Sequence, residues 1–297
     1  MLYNDVPAGE KRALFRKALN SGHLLRVIGA PTPLIAMMIE ELGFDGVYCS
    51  GAATSIDLGL PDIGLTTLSE VAEQSHRIAR MVGLPTIIDA DTGFGETLNA
   101  ARTIQELENM GLAGCHIEDQ VNPKRCGHLD NKVLVSREDF AQKIRAAGNA
   151  RRDPNFVLIA RTDARTVEGL DGAIDRAKAA VNAGADMIFP EAMADEGEFA
   201  AMRAAVDVPL LANITEFGKS ELLTTDQLSS LGYNVALYPA TAQRLALKAV
   251  EDGLVELRDK GTQAGKVDSM MPRARLYELV KYAEYGDFDA SIYNFKL

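Results

Sequence analysis

The sequence predicts a (β/α)8 barrel, and three observations carry that expectation. Eight short apolar runs occupy residues 24–30, 46–51, 86–90, 114–119, 156–163, 187–191, 210–215 and 235–239. They are β-branched in places and do not alternate with polar residues, as expected of strands buried on both faces. Each run is followed by a stretch of helical period, at 34–42, 68–82, 97–110, 137–147, 170–183, 196–205, 225–231 and 242–260. Gly43, Gly83, Gly111, Gly184 and Gly232 each stand between a helical stretch and the next strand, where a left-handed cap suits glycine. Strand–helix alternation with short connections implies a parallel sheet with right-handed crossovers, and eight such units close into a barrel. An open doubly wound sheet is the alternative, but no G-x-G-x-x-G follows the first strand.

In chain order, residues 11–19 form an amphipathic helix ahead of the repeating part. Pro85 and Pro209 fall at strand starts, where a missing amide hydrogen is tolerated. Residues 1–260 are expected to form the barrel domain with its short N-terminal helix, and 261–297 a helical extension. Within that extension, residues 273–285 read as one helix whose Leu276, Tyr277, Leu279, Val280 and Tyr282 are too apolar to stay exposed. It is expected to pack on the barrel or on another subunit.

Composition narrows the function. Hydrophobic residues make up 47% of the 297, enough for a large core, and the net charge is −11. That acidity argues against nucleic acid or an anionic membrane as partner, and the absence of Trp disfavours a base-stacking surface. Cys49, Cys115 and Cys126, an odd number at irregular spacing, read as free thiols in a reducing compartment. With no signal pattern at the N-terminus and no membrane-length apolar run, the expected location is cytoplasmic.

In a barrel the active site lies at the carboxyl ends of the strands. Polar residues collect there: Tyr48, Ser50 and Gly51; Asp62; Asp89 and Asp91; Glu118 and Asp119; Arg161 and Asp163; Glu191; Asn213, Thr215 and Glu216; and Tyr238 leading to Arg244. Asp62, Asp89, Asp91 and Glu118 would repel one another without a counter-ion, and an all-oxygen set suits Mg2+ or Mn2+. A lone D-x-D is more often a turn; Glu118 at the next strand end favours a metal. Arg161, Arg244 and Arg273, with Asn213 and Thr215, suit carboxylates, so a small polycarboxylate that also chelates the metal is the expected substrate. Arg161 has an alternative as the structural partner of Asp163, and Arg273 as that of Glu278. His116 reads as a core histidine, and His23 and His76 as surface residues. In Lys124-Arg125-Cys126-Gly127-His128 the two cations are expected to lower the thiol pKa, and His128 to exchange protons with it.

That loop, following His116-Ile117-Glu118-Asp119-Gln120, resembles the isocitrate lyase/phosphoenolpyruvate mutase superfamily. The resemblance extends through Tyr48-Cys49-Ser50-Gly51, Leu58-Gly59-Leu60-Pro61-Asp62, Asp89-Ala90-Asp91-Thr92-Gly93-Phe94-Gly95, Ala160-Arg161-Thr162-Asp163-Ala164, Phe189-Pro190-Glu191-Ala192, Leu211-Ala212-Asn213-Ile214-Thr215-Glu216-Phe217-Gly218 and Leu237-Tyr238-Pro239. It is strongest to the branch that cleaves 2-methylisocitrate in propionate breakdown by the methylcitrate cycle, and the compact length fits that branch.

The resemblance implies a Mg2+-dependent cleavage to pyruvate and succinate, with isocitrate or another small 2-hydroxy or 2-oxo polycarboxylate as the alternative substrate. It implies Asp89 and Asp91 at the metal with Asp62 and Glu118 in its water shell. Ser50, Gly51, Ala52, Cys126, Gly127, Arg161, Glu191, Asn213, Ile214, Thr215, Arg244 and Arg273 would contact substrate. Cys126 would be the general acid, supported by Lys124, His128 and Arg161, with Tyr48 or Asp62 as base. Ala52 departs from the pattern, since many relatives carry a second glycine there. Phe189, Leu237 and Pro239 would form an apolar recess for the substrate methyl group. The resemblance further implies a homotetramer that swaps its C-terminal helices. A non-catalytic binding protein on the same barrel would be signalled by loss of Cys126 or the aspartate pair, and both are present.

Overall fold

The computed structural model describes residues 3–129 and 131–294. Eight strands form one parallel sheet: β1 (Leu25–Gly29), β2 (Gly46–Cys49), β3 (Thr86–Asp89), β4 (Gly114–Glu118), β5 (Val157–Thr162), β6 (Met187–Pro190), β7 (Leu211–Asn213) and β8 (Val235–Tyr238). Their order is β6-β5-β4-β3-β2-β1-β8-β7, and a parallel bridge between Ile188 and Leu210 joins the two ends. The sheet is therefore a nearly closed barrel, and the doubly wound alternative falls.

The strand sequences lack alternation because both faces are apolar. Successive side chains point to opposite faces. Tyr48, Ile87, Ile159, Met187, Phe189 and Leu237 belong to the cluster inside the barrel. Their sequence neighbours Cys49, Ile88, Leu158, Ile188 and Ala236 belong to the layer beneath the outer helices. Helix α1 (Ala8–Leu19) closes the barrel floor with Phe15 and Leu19, both about fully buried. Its polar face is tied to turns that feed the strands: Arg12 Nε donates to Leu112 O at 2.8 Å, and Arg16 donates to Phe156 O at 2.9 Å.

The outer helices follow the predicted stretches: α2 (Pro33–Glu41), α4 (Leu68–Ala79), α5 (Thr97–Asn109), α6 (Arg137–Ala150), α7 (Arg165–Ala183), α8 (Glu196–Ala205), α9 (Thr225–Ser230) and α10 (Thr241–Lys260). Their starts are chemically marked, as where Thr67 and Glu70 cap α4 reciprocally. Three expectations are corrected. The run 46–51 is not one strand: Ser50 accepts from the Ala53 amide at 3.3 Å and caps a short helix, α3 (Gly51–Asp57), too brief to show a period. Gly83 is not left-handed, unlike Gly43, Gly111, Gly184 and Gly232; its amide instead donates to Glu40 Oε1 at 2.6 Å. The helix expected over 273–285 is two, α11 (Arg273–Leu279) and α12 (Tyr282–Tyr293), broken where Lys281 adopts φ 55°. Leu279 is buried, but Tyr277, Val280 and Tyr282 remain exposed on this chain. Among the described residues no helix is long and apolar enough to cross a membrane.

Candidate active site

At the carboxyl ends of the strands the barrel opens into a cavity of about 90 Å³. Tyr48, Ser50, Ala52, Asp62, Asp89, Lys124, Cys126, Gly127, His128 and Arg161 line it, with Glu191, Asn213, Thr215 and Arg244 opposite. These are most of the residues singled out from the sequence. Phe189, Leu237 and Pro239 line the same cavity and supply its apolar wall. Asp91 and Glu118 sit buried in its side, and Gly51 lies against Asp89. Ile214 is buried in the outer core cluster behind β7. Arg273 is the exception: it is exposed at the start of α11 and is not part of this cavity. Its expected partner Glu278 is instead bonded to Arg275 at 3.4 Å.

Two charge clusters meet in the mouth. On one side Lys124 Nζ lies 2.5 Å from Asp62 Oδ1 and 2.9 Å from Asp91 Oδ1. Burial, and then Asp89, push the Asp91 carboxyl up to about 6. Burial would also raise Asp89, but the neighbouring imidazole, Lys124 and Arg161 more than reverse it and hold that carboxyl low. On the other side the Arg161 guanidinium lies 3.0 Å from Asp163, 3.4 Å from Glu118 and 3.6 Å from Glu191, over the Phe189 ring. The structural pairing with Asp163 and the siting in the cavity thus hold together. Burial would raise Glu191, but Arg161 and the His128 ring hold it down at about 2. His128 Nε2 is 2.6 Å from Glu191 Oε1, and its Nδ1 accepts from the Lys219 amide at 2.9 Å. Glu191 and the Lys219 amide thus fix the orientation of the ring from its two sides. Asn213 also donates to Glu191, at 3.1 Å.

The thiol expectation is reversed. Burial raises the Cys126 pKa, and the His128 amide and Arg161 only partly oppose it. Lys124 does not serve the thiol because its ammonium has turned to the aspartates, and Arg125 is exposed. Cys49 and Cys115 are buried core thiols, with Cys49 pushed up to about 12 by burial.

His116, expected as a core histidine, is fully buried on β4, but its contacts were not legible in the sequence. Its Nε2 lies 2.8 Å from the Tyr48 hydroxyl, and its Nδ1 is 3.6 Å from Asp89 Oδ1. Burial lowers its pKa to about 4, so the ring is neutral, while burial and Asp89 raise Tyr48 well above 10. Only the proximity of β2 and β4 across β3 makes this pair, and no local motif marks it. His76, read as a surface residue, is half-buried with Nδ1 3.0 Å from Met110 O.

A divalent cation fits the carboxylate side. Both oxygens of Glu118 are buried without a hydrogen-bond partner. A Cβ on Gly51 would stand 2.8 Å from Asp89 Oδ2 and 3.3 Å from Asp91 Oδ1, so glycine keeps that cradle open. Among the described residues no three carboxylate, imidazole or thiol side chains close into a ready-made ligand set. An ion there would retain water ligands, as Mg2+ does.

A parallel (β/α)8 barrel that gathers these carboxylates, a thiol and an arginine at its carboxyl mouth is an enzyme of the barrel class. The family model described as phosphoenolpyruvate phosphomutase matches residues 15–258. The "Probable 2-methylisocitrate lyase 1" of Corynebacterium glutamicum is 55% identical over 99% of this chain and 96% of its own length. The "2-methylisocitrate lyase" of Escherichia coli is 46% identical over 92% of this chain and 93% of its own length. Among solved structures, oxaloacetate acetylhydrolase bound to 3,3-difluorooxalacetate superposes with TM-score 0.92 at 34% identity, covering 99% of this chain and 100% of that one. Phosphonopyruvate hydrolase with oxalate and Mg++ gives 0.85 at 30% identity, covering 96% and 99%. The chain belongs to the phosphoenolpyruvate mutase/isocitrate lyase superfamily.

Proposed function

We infer that this chain is a carbon–carbon lyase that cleaves 2-methylisocitrate to pyruvate and succinate. One observation carries the reading: relatives matched over nearly their whole length bear that name. The cavity suits it, with cations for carboxylates and Phe189, Leu237 and Pro239 for a methyl group. Asp89 and Asp91, with Asp62 and Glu118 behind water, would hold Mg2+; a relative's structure with Mg++ supports the ion. A cation held there would lower the substrate hydroxyl pKa and stabilise the carbonyl that forms.

This chain's residues supply the proton transfers. Tyr48 lines the cavity with its hydroxyl hydrogen-bonded to His116, and it is read as the base for the hydroxyl proton. Asp62 is the less suited base because Lys124 already occupies it. As the carbon–carbon bond breaks, its electron pair passes to the succinate half as an enediolate, beside Arg161 and His128. Cys126, kept protonated by its raised pKa, gives its proton to that carbon. Ser50, Gly51, Ala52, Gly127, Glu191, Asn213, Ile214, Thr215 and Arg244 are read as orienting the substrate, with Arg273 reaching a site only from a neighbouring subunit. The exposed apolar residues of α11 and α12 support such an exchange in a homotetramer, with 1–260 as barrel and 261–297 as extension. Three unpaired cysteines support a cytoplasmic setting.

The test is a substrate panel with added Mg2+: 2-methylisocitrate, isocitrate, oxaloacetate, 2,3-dimethylmalate and phosphonopyruvate. The highest kcat/KM is expected for 2-methylisocitrate, with side activity on isocitrate. The highest kcat/KM for another member would overturn the assignment.

A further inference from the structure

Gln120 lies just beyond β4 and has no part in the chemistry above, yet it is only 1% exposed. Its backbone is fixed where residues 119–121 run antiparallel to 133–135. There the Val121 amide donates to Val133 O at 2.8 Å, and the Val135 amide to Asp119 O at 2.9 Å. From that base the side chain reaches across to Arg125. Its Nε2 donates to the Arg125 carbonyl at 2.8 Å, and its Oε1 accepts from the Arg125 amide at 2.9 Å. A side-chain amide carries both a donor and an acceptor, and here both are used on one residue. Among the described residues the Arg125 backbone has no other hydrogen-bond partner.

These two bonds hold the peptide groups on either side of Arg125, the ones that join it to Lys124 and to Cys126. Arg125 is exposed, whereas Lys124 is buried with its ammonium on Asp62 and Asp91, and Cys126 lines the same cavity. Beyond Cys126 the chain is held again. Lys132, its side chain 1% exposed, donates from Nζ to the Gly127 carbonyl and lies 3.0 Å from Asp163 Oδ1. Cys126 therefore stands between two backbone anchors. An acid that must protonate one particular carbon has to be held to within about 0.5 Å, and a loop without secondary structure does not supply that by itself. We propose that Gln120 is a positioning residue for Cys126: by bonding both the N–H and the C=O of Arg125, it fixes the peptide from which Cys126 departs and aims the thiol into the cavity. This rests on the reading of Cys126 as the acid.

Gln120→Met, similar in length but without an N–H or a carbonyl oxygen, tests this in the full-length protein by two readouts. One is backbone hydrogen exchange followed by mass spectrometry without substrate; the other is kcat and KM for 2-methylisocitrate with Mg2+. Exchange in the peptide covering residues 121–129 is expected to quicken about tenfold while the barrel strands exchange as in wild type. In the same variant kcat is expected to fall about 10- to 100-fold with KM within about threefold. Gln120→Glu keeps the acceptor for the Arg125 amide and loses the donor to its carbonyl, so it is expected to lie between; it serves alone if the methionine variant does not fold. Unchanged exchange in that peptide overturns the inference, whether or not activity falls, and so does faster exchange with kcat intact. Failure of the acid reading looks different: Cys126→Ser would then turn over like wild type, which removes the positioning role even with exchange still following Gln120.

Discussion

Gly51→Ala tests the carboxylate cradle with a single methyl group. Gly51 opens α3 without a positive φ, so alanine is acceptable to the backbone and is favoured in a helix by up to about 1 kcal/mol. The cost is local. The new Cβ would stand 2.8 Å from Asp89 Oδ2 and 3.0 Å from its Cγ. Ordinary contact between heavy atoms needs about 3.5 Å, so the carboxylate must retreat by roughly 0.7 Å. Mg2+ demands near-octahedral geometry at about 2.0–2.1 Å, and sites of this kind tolerate about 0.5 Å of error. A displacement of that size should lower kcat/KM by about 10- to 100-fold, most at limiting Mg2+. The assay is pyruvate release across a Mg2+ titration, with thermal unfolding in parallel. Tm is expected to stay within a few degrees of wild type and part of the activity to return at high Mg2+. Wild-type activity at limiting Mg2+ would refute the reasoning, and so would a collapse of Tm.

Other substitutions address the remaining parts of the site. Cys126→Ser should fold and bind substrate but lose nearly all turnover, because a hydroxyl is a far weaker acid than a thiol; alkylation of wild-type Cys126 should likewise inactivate, faster as pH rises because the reactive thiolate forms only toward its raised pKa. Asp89→Asn and Asp91→Asn should each raise the Mg2+ concentration for half-maximal activity, and excess chelator should abolish activity until Mg2+ is restored; full activity in chelator would remove the metal from the account. Leu237→Thr, at the apolar wall, should lower kcat/KM for 2-methylisocitrate more than for isocitrate, since one methyl is worth about 1–3 kcal/mol of discrimination; equal losses would give that wall a structural role only.

The barrel was legible because each strand is apolar on both faces, and neighbours such as Ile87 and Ile88 pack into different layers. Most of the mouth was legible too, since barrel topology assigns strand ends to one face. What escaped the sequence depends on contacts between distant elements. Tyr48 and His116 meet only across β3, so the histidine looked like plain core. Lys124 looked like a partner of the adjacent thiol, but buried aspartates are stronger partners for an ammonium and the loop turns it toward them. Lys132 gave no signal because its partners lie five and thirty-one residues away. The break at Lys281 was hidden by apolar residues on both sides of it, which continue the helical pattern through a residue at φ 55°.

The most direct measurement is cleavage of 2-methylisocitrate by the Mg2+-loaded protein in D2O, with both products read by NMR and mass spectrometry. The account predicts pyruvate and succinate in equal amounts, the succinate carrying one deuterium at the carbon released from the broken bond, delivered from the exchanged Cys126 thiol. Absence of cleavage, or succinate formed without deuterium, would contradict it.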